Sequence, residues 1–208
     1  MLVKKTIFLL LQILFASLFA SAQKNANIKY FDTENKEITE KAFKKLRSTN
    51  SVLDIIGDST NHLKLINREE NGNINDRNTF ITALERVSNT KIDTNSTIII
   101  VYYPGQDPCN STGTSGVLTE KYKETERSAK QIAKTQTFYI YKDFKGLEKF
   151  NKSITWIKDP ENLVENLFFK HHYPCGSFTV ISKSGAYISY FGEYPPYYIL
   201  NAVKILNN

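Results

Sequence analysis

The run Thr97-Ile98-Ile99-Ile100-Val101-Tyr102-Tyr103 constrains this chain more than any other segment. It holds no charged residue and is rich in β-branched and aromatic side chains, and it does not alternate between apolar and polar. Such a strand cannot turn either face to water, so it belongs inside a sheet with cover on both sides. The following residues supply cover. Leu118, Tyr122, Thr125, Ala129, Ile132 and Ala133 step along one helical face, with Glu120, Lys123, Glu124, Arg127 and Lys130 opposite. Thr137 to Tyr141 reads as a second strand. Strand, helix and strand in that order make parallel neighbours joined by a right-handed crossover.

The remaining C-terminal segments complete the pattern. Asp143 to Phe150 reads as a short helix. Asp159 and Pro160 suit the N-cap and first position of another, with Leu163, Val164, Leu167 and Phe168 inward. Phe178 to Ile181 and Tyr187 to Phe191 are strands joined by the turn Ser182-Lys183-Ser184-Gly185. Pro196 opens a last helix that turns Ile199, Ala202, Val203 and Leu206 inward. The order β-α-β-α-β-β-α predicts a mixed sheet with helices on both faces.

Upstream, residues 1–22 read as a secretory signal peptide. Lys4 and Lys5 precede an apolar stretch from Ile7 to Phe19, and Ala20-Ser21-Ala22 offers a cleavage point before Gln23. The stretch is short for a membrane span, so no stable span is expected after cleavage. Export to the periplasm or beyond permits a disulfide between the two cysteines. Residues 23–95 read as an N-terminal α+β extension and 96–208 as the main domain. Within the extension, Ile28 to Asp32 is a strand, and Thr39 caps a helix carrying Ala42, Phe43 and Leu46. Val52 to Ile56 and Leu63 to Ile66 form a hairpin, and Asn67 to Asn75 a polar loop. Asn75 or Asp76 then caps a helix reaching Ser88, with Phe80, Ala83, Leu84 and Val87 on its apolar face.

Composition narrows the function classes. The chain is 41% hydrophobic and 23% charged, which excludes a disordered, collagen-like or polytopic membrane protein. A net charge of +6, with acidic residues among the basic ones, gives no nucleic-acid footprint. Ser111 to Gly116 lacks the Gly-Lys-Ser/Thr ending of a phosphate loop and reads as a connector. No cofactor motif is present. Asn95, Asn110 and Asn151 each begin an N-x-Ser/Thr sequon. Tyr187, Tyr190, Phe191, Tyr194, Tyr197 and Tyr198 read as hairpin and core packing.

Ile98 to Thr112, I-I-I-V-Y-Y-P-G-Q-D-P-C-N-S-T, and Tyr173 to Gly192, Y-P-C-G-S-F-T-V-I-S-K-S-G-A-Y-I-S-Y-F-G, resemble the thioredoxin-like superfamily. The resemblance implies a thioredoxin-like mixed α/β sheet flanked by helices. It also implies a reactive Cys after the first central strand and a cis-proline loop beside it. Cys109 holds the first place, and the loop with Pro174 and Cys175 holds the second. The match departs from the active pattern. Cys109-Asn110-Ser111-Thr112 is C-x-x-T instead of the dithiol C-x-x-C, and Gly176 falls where the cis-proline is expected, with Pro174 two residues earlier as the alternative candidate. The helix after Cys109 starts near Gly116, which leaves the cysteine away from a helix N-terminus.

Two readings stand side by side. In one, Cys109 attacks a protein disulfide substrate and Cys175 resolves the mixed disulfide. In the other, the two cysteines only staple a non-catalytic binding or scaffold protein, closing a long loop at a chain-entropy gain of roughly 4 kcal/mol. Asp107 disfavours a thiolate at Cys109, and no Lys or Arg is adjacent in sequence. His171 and His172, four and three residues before Cys175, are candidates, together with Cys109, for a soft N/S metal site. Otherwise one faces solvent and the other packs on Tyr173.

Overall fold

The computed structural model describes residues 28–111, 115–150 and 153–208. The expected signal peptide and the Asn151 sequon lie outside the described residues. A four-stranded sheet comes first. It is built from β1 (Lys29–Phe31), β2 (Glu37–Ile38), β3 (Val52–Ile56) and β4 (His62–Asn67), in the order β2-β1-β4-β3. Helix α1 (Glu40–Arg47) covers one face, and the Thr39 hydroxyl accepts a hydrogen bond from the Ala42 N–H at 3.3 Å. Phe43 buries itself there against Val52, Leu65 and the Tyr30 ring, whose centroid is 5.0 Å away. The other face of the sheet, with Leu53, Ile55 and Ile66, joins a core of the larger sheet.

β5 (Glu69–Asn73) corrects the sequence expectation of a polar loop. It pairs antiparallel with β10 (Ala186–Tyr190), from Glu69 opposite Tyr190 to Asn73 opposite Ala186. An edge strand gains its structure from a neighbour's backbone, so its own side chains need not alternate, and charge along it discourages further pairing. Gly72 allows the fit, because a Cβ there would lie 2.5 Å from the Tyr187 ring.

The larger sheet runs β5-β10-β9-β6-β7-β8, with β6 (Thr97–Tyr103), β7 (Thr135–Tyr141), β8 (Trp156–Lys158) and β9 (Ser177–Ile181). β6 lies parallel to β7 and antiparallel to β9. The arrangement β10-β9-β6-β7, with its crossover helix and closing hairpin, is the thioredoxin-like mixed sheet. The added N-terminal strands and helices extend it. Every residue of β6 is buried. Ile98, Ile100 and Tyr102 face a core with Phe80, Ile81 and Leu84 of α2 (Arg77–Ser88) and with Val164 and Phe168 of α4 (Leu163–Phe168). Ile99, Val101 and Tyr103 face the other core, with Ala129 of α3 (Ser115–Ile132) and Ile199, Ala202 and Val203 of α5 (Tyr197–Asn207).

Two expected helices differ. Asp143 to Phe150 forms only a 3-10 turn at Glu148–Phe150. The helix expected to begin at Pro160 is interrupted by Glu161 and Asn162 at positive φ (53° and 57°). The Asp159 carboxylate spans this kink and caps α4, accepting hydrogen bonds from the Val164 N–H at 2.9 Å and the Glu165 N–H at 2.8 Å. Burial pushes its carboxyl above the ordinary range.

Candidate functional site

β6 ends at Tyr103, and the chain turns at Gly105 (φ 125°) into the loop that carries Cys109. Asp107 organises this loop. Its Oδ1 accepts hydrogen bonds from the Cys109 N–H at 2.8 Å and the Asn110 N–H at 2.9 Å. An Asp side chain that bonds the backbone just after it closes such a turn locally. Across the site, buried Tyr173 stacks on Phe191 with centroids 4.3 Å apart, which anchors the loop entering β9. Cys175 sits at the centre of a tight turn. The Gly176 N–H donates to the Pro174 carbonyl at 2.9 Å, and Cys175 has φ of 70°. A non-glycine residue at that φ is a strained γ-turn centre.

The fold brings these loops together. Cys109 and Cys175 are joined by a disulfide with Cα atoms 5.0 Å apart, across a sequence separation of 66. Polar groups link the same loops. Asp107 Oδ2 accepts from the Cys175 N–H at 2.9 Å, and Asn110 Nδ2 donates to the Cys175 carbonyl at 3.2 Å and to the Gly105 carbonyl at 2.8 Å. The Asn110 amide is therefore engaged within the protein rather than free at a sequon. Cys109 is exposed and Cys175 half-buried. α3 begins downstream, at Ser115, so Cys109 lies outside any helix N-terminus.

Pro174 does not fill the cis-proline role, because no peptide bond among the described residues is cis. The tight turn at Cys175 and Gly176 reverses the chain there. The histidines part company. His171 meets Tyr173 edge-on at 6.0 Å, and burial, followed by Lys64 and Lys170, holds its imidazole below the ordinary value. His172 directs Nε2 toward Asp107 Oδ2 at 3.6 Å. Neither belongs to the ligand-type cluster at the disulfide, whose third member is Glu193. Its carboxylate and the two sulfurs lie within 4.8 Å of one another.

Sequence reasoning missed Glu193, which lies outside the strands of the closing hairpin. The hairpin pairing ends at Tyr190 opposite Phe178, and Glu193 follows in the loop after β10, past Gly192 at positive φ (77°). Arg68 was missed too, because its segment lacks a strand pattern. Its buried guanidinium donates through Nη1 to the Glu193 carbonyl at 3.4 Å and to the Tyr190 hydroxyl at 3.5 Å. Beside the disulfide a cavity of about 190 Å³ opens between α3, α5 and the sheet. Tyr103, Tyr122, Phe150, Trp156 and Tyr194 give it an aromatic wall, and Lys149 lines it while donating to the Asn110 carbonyl at 2.9 Å. Burial pushes the Tyr122 hydroxyl up to about 12, so it stays protonated at neutral pH.

Among solved structures, the chain is similar to MTB dsbF in its mixed oxidized and reduced forms, at 11% identity, with 54% of this chain and 82% of that one covered and a TM-score of 0.39. It is also similar to a secreted Mycobacterium tuberculosis disulfide oxidoreductase homologous to E. coli DsbE, at 11% identity, 54% and 83% coverage and a TM-score of 0.37. A third is the exposed lipoprotein thioredoxin Etrx1 from Streptococcus pneumoniae strain TIGR4, at 14% identity, 54% and 87% coverage and a TM-score of 0.36. No protein-family model matches the sequence, and no curated protein matches it.

Proposed function

We propose that this chain is an exported, non-catalytic binding or scaffold protein of thioredoxin-like fold, in which the Cys109–Cys175 bond is a structural staple. One observation carries the reading: Asp107 and Asn110 already tie together the two loops that the disulfide joins. A bond backed by that brace reinforces a fixed geometry. A working exchange site needs a sulfur that leaves readily as thiolate. Here the Glu193 carboxylate lies within 4.8 Å of both sulfurs, the Asp107 carboxylate accepts from both cysteine N–H groups, and no helix N-terminus reaches Cys109. These features disfavour the thiolate. Export follows from the N-terminal leader pattern and fits a disulfide that persists. The aromatic cavity beside the staple is the natural place for a bound group, since ligand sites are concave and mostly apolar with a few polar residues.

A second reading is thiol–disulfide exchange with a protein substrate, with Cys109 attacking and Cys175 resolving. It is favoured by the exposure of Cys109 and by the strained backbone at Cys175. Equilibrating the full chain with a graded dithiol redox buffer and counting free thiols separates the two. A staple should be more reducing than about −300 mV, and a working pair less so. Reductase activity that is present in the native chain and lost in Cys109→Ser would establish exchange and end the staple reading.

A further inference from the structure

We propose that opening the disulfide converts this site into a zinc-type cation site, with Cys109, Cys175 and Glu193 as ligands. The proposal concerns the reduced protein and stands on geometry independent of whether the bond exchanges with substrates. The ligand atoms of all three residues lie within 4.8 Å of one another. A tetrahedral zinc with sulfur at about 2.3 Å and carboxylate oxygen at about 2.1 Å spans such a set once the sulfurs separate. Cys109 is exposed, so its side chain is free to turn, while the backbone on both sides stays in place. Asp107 holds the Cys109 and Cys175 N–H groups, and Asn110 holds the Cys175 carbonyl. None of those hydrogen bonds involves sulfur, so the brace survives reduction and keeps the two thiols as neighbours. Glu193 is positioned from the other side by Arg68, which donates to its carbonyl.

The donor set chooses the metal. Two thiolates and a hard carboxylate oxygen suit a borderline divalent ion such as Zn²⁺, whereas Cu⁺ would use the sulfurs and leave the carboxylate idle. Three protein ligands leave a fourth position open, and the adjacent cavity supplies room for it. Two thiolates and a carboxylate around a divalent ion leave one net negative charge, and Lys149 and Lys121 line the same cavity.

Chemically, an external dithiol breaks the Cys109–Cys175 S–S bond. It gives up two electrons and two protons and closes its own disulfide, and the protein sulfurs become thiols. Zinc then displaces both thiol protons to solvent as it forms two Zn–S bonds. In the oxidised protein the sulfurs are spent on each other, so the disulfide and the metal exclude one another.

The test uses the full chain, reduced with a phosphine that is then removed, and titrated with Co²⁺ followed by Zn²⁺ competition. The reduced chain should bind one equivalent and develop sulfur-to-cobalt charge-transfer absorption. The oxidised chain and Cys109→Ser should not. Glu193→Gln should bind at least about tenfold more weakly, and His172→Gln should stay within about twofold of the native chain. Equal binding by oxidised protein would overturn the proposal. So would undiminished affinity in Glu193→Gln, or a loss in His172→Gln as large as that in Glu193→Gln. If reduction alone unfolds the chain by circular dichroism, zinc must restore the native spectrum, and failure to restore it rejects the site.

Discussion

The interior of the larger sheet and the pair of cysteine loops are held by different physics. In the interior, β6 is buried on both faces, and its alternating residues feed two separate cores. Many modest apolar contacts add up there, and no single one is indispensable. The links that join the cysteine loops to each other are polar or covalent. One carboxylate, one amide and one disulfide join them. The interior therefore tolerates conservative repacking, whereas the loops rest on a few groups that reinforce one another.

The largest expected effect is in the interior. Phe178 is 1% exposed and lies against Tyr190 and Tyr194. Phe178→Ala should cost about 5 kcal/mol in denaturant titration, while Phe178→Leu should cost well under half of that. Next comes the staple. Replacing both cysteines by serine should cost about 4 kcal/mol, from the closed loop of 66 residues' separation. A far smaller loss would mean that the polar brace alone fixes the loops. Asp107→Ala isolates that brace. It leaves three backbone N–H groups without their acceptor and should cost about 2 kcal/mol. With both cysteines retained, Asp107→Ala should also speed reduction of the disulfide by dithiothreitol. An unchanged reduction rate would show that the carboxylate does not hold the bond in place.

The smallest expected effect is a pH dependence. His171 is held below its ordinary value of 6.5, mainly by burial, so the unfolded chain binds its proton more readily than the folded one. Its contribution to stability is complete above that value and is lost as the pH falls through 6.5 toward the folded value. His171→Gln should flatten this acid limb of the melting curve slightly, since the imidazole is only partly shielded from water. A steeper limb in the variant would reverse the sign and rule out His171 as its origin.

Much of the fold was readable from local pattern. The charge-free run of β6, the apolar stripes of α3 and α5 and the turn between β9 and β10 each carry their own signature. β5 and β8 carry none, because an edge strand is ordered by its partner's backbone. α4 starts late because Glu161 and Asn162 break the helix that Asp159 and Pro160 announce. At the site, the pairing of Cys109 with Cys175 was legible through resemblance, and the fold bears it out. The cis-proline was not. Pro174 is trans, and the backbone reverses at Cys175 and Gly176 instead. Of the histidines, His172 reaches Asp107 and His171 packs on Tyr173, and neither joins the ligand-type cluster, whereas Glu193 enters it from the loop after β10, which no strand pattern marks.

By itself, the order of residues determined the layers. A strand with no polar face must be covered on both sides, and amphipathic helices between such strands provide that cover. Only the folded structure decided which polar groups meet. Asp107, Cys109, Cys175 and Glu193 come from three separate loops whose approach depends on strand register and turn geometry. Hydrogen bonds and sulfur chemistry act over a few ångströms, so no local periodicity along the chain records which groups will share that space.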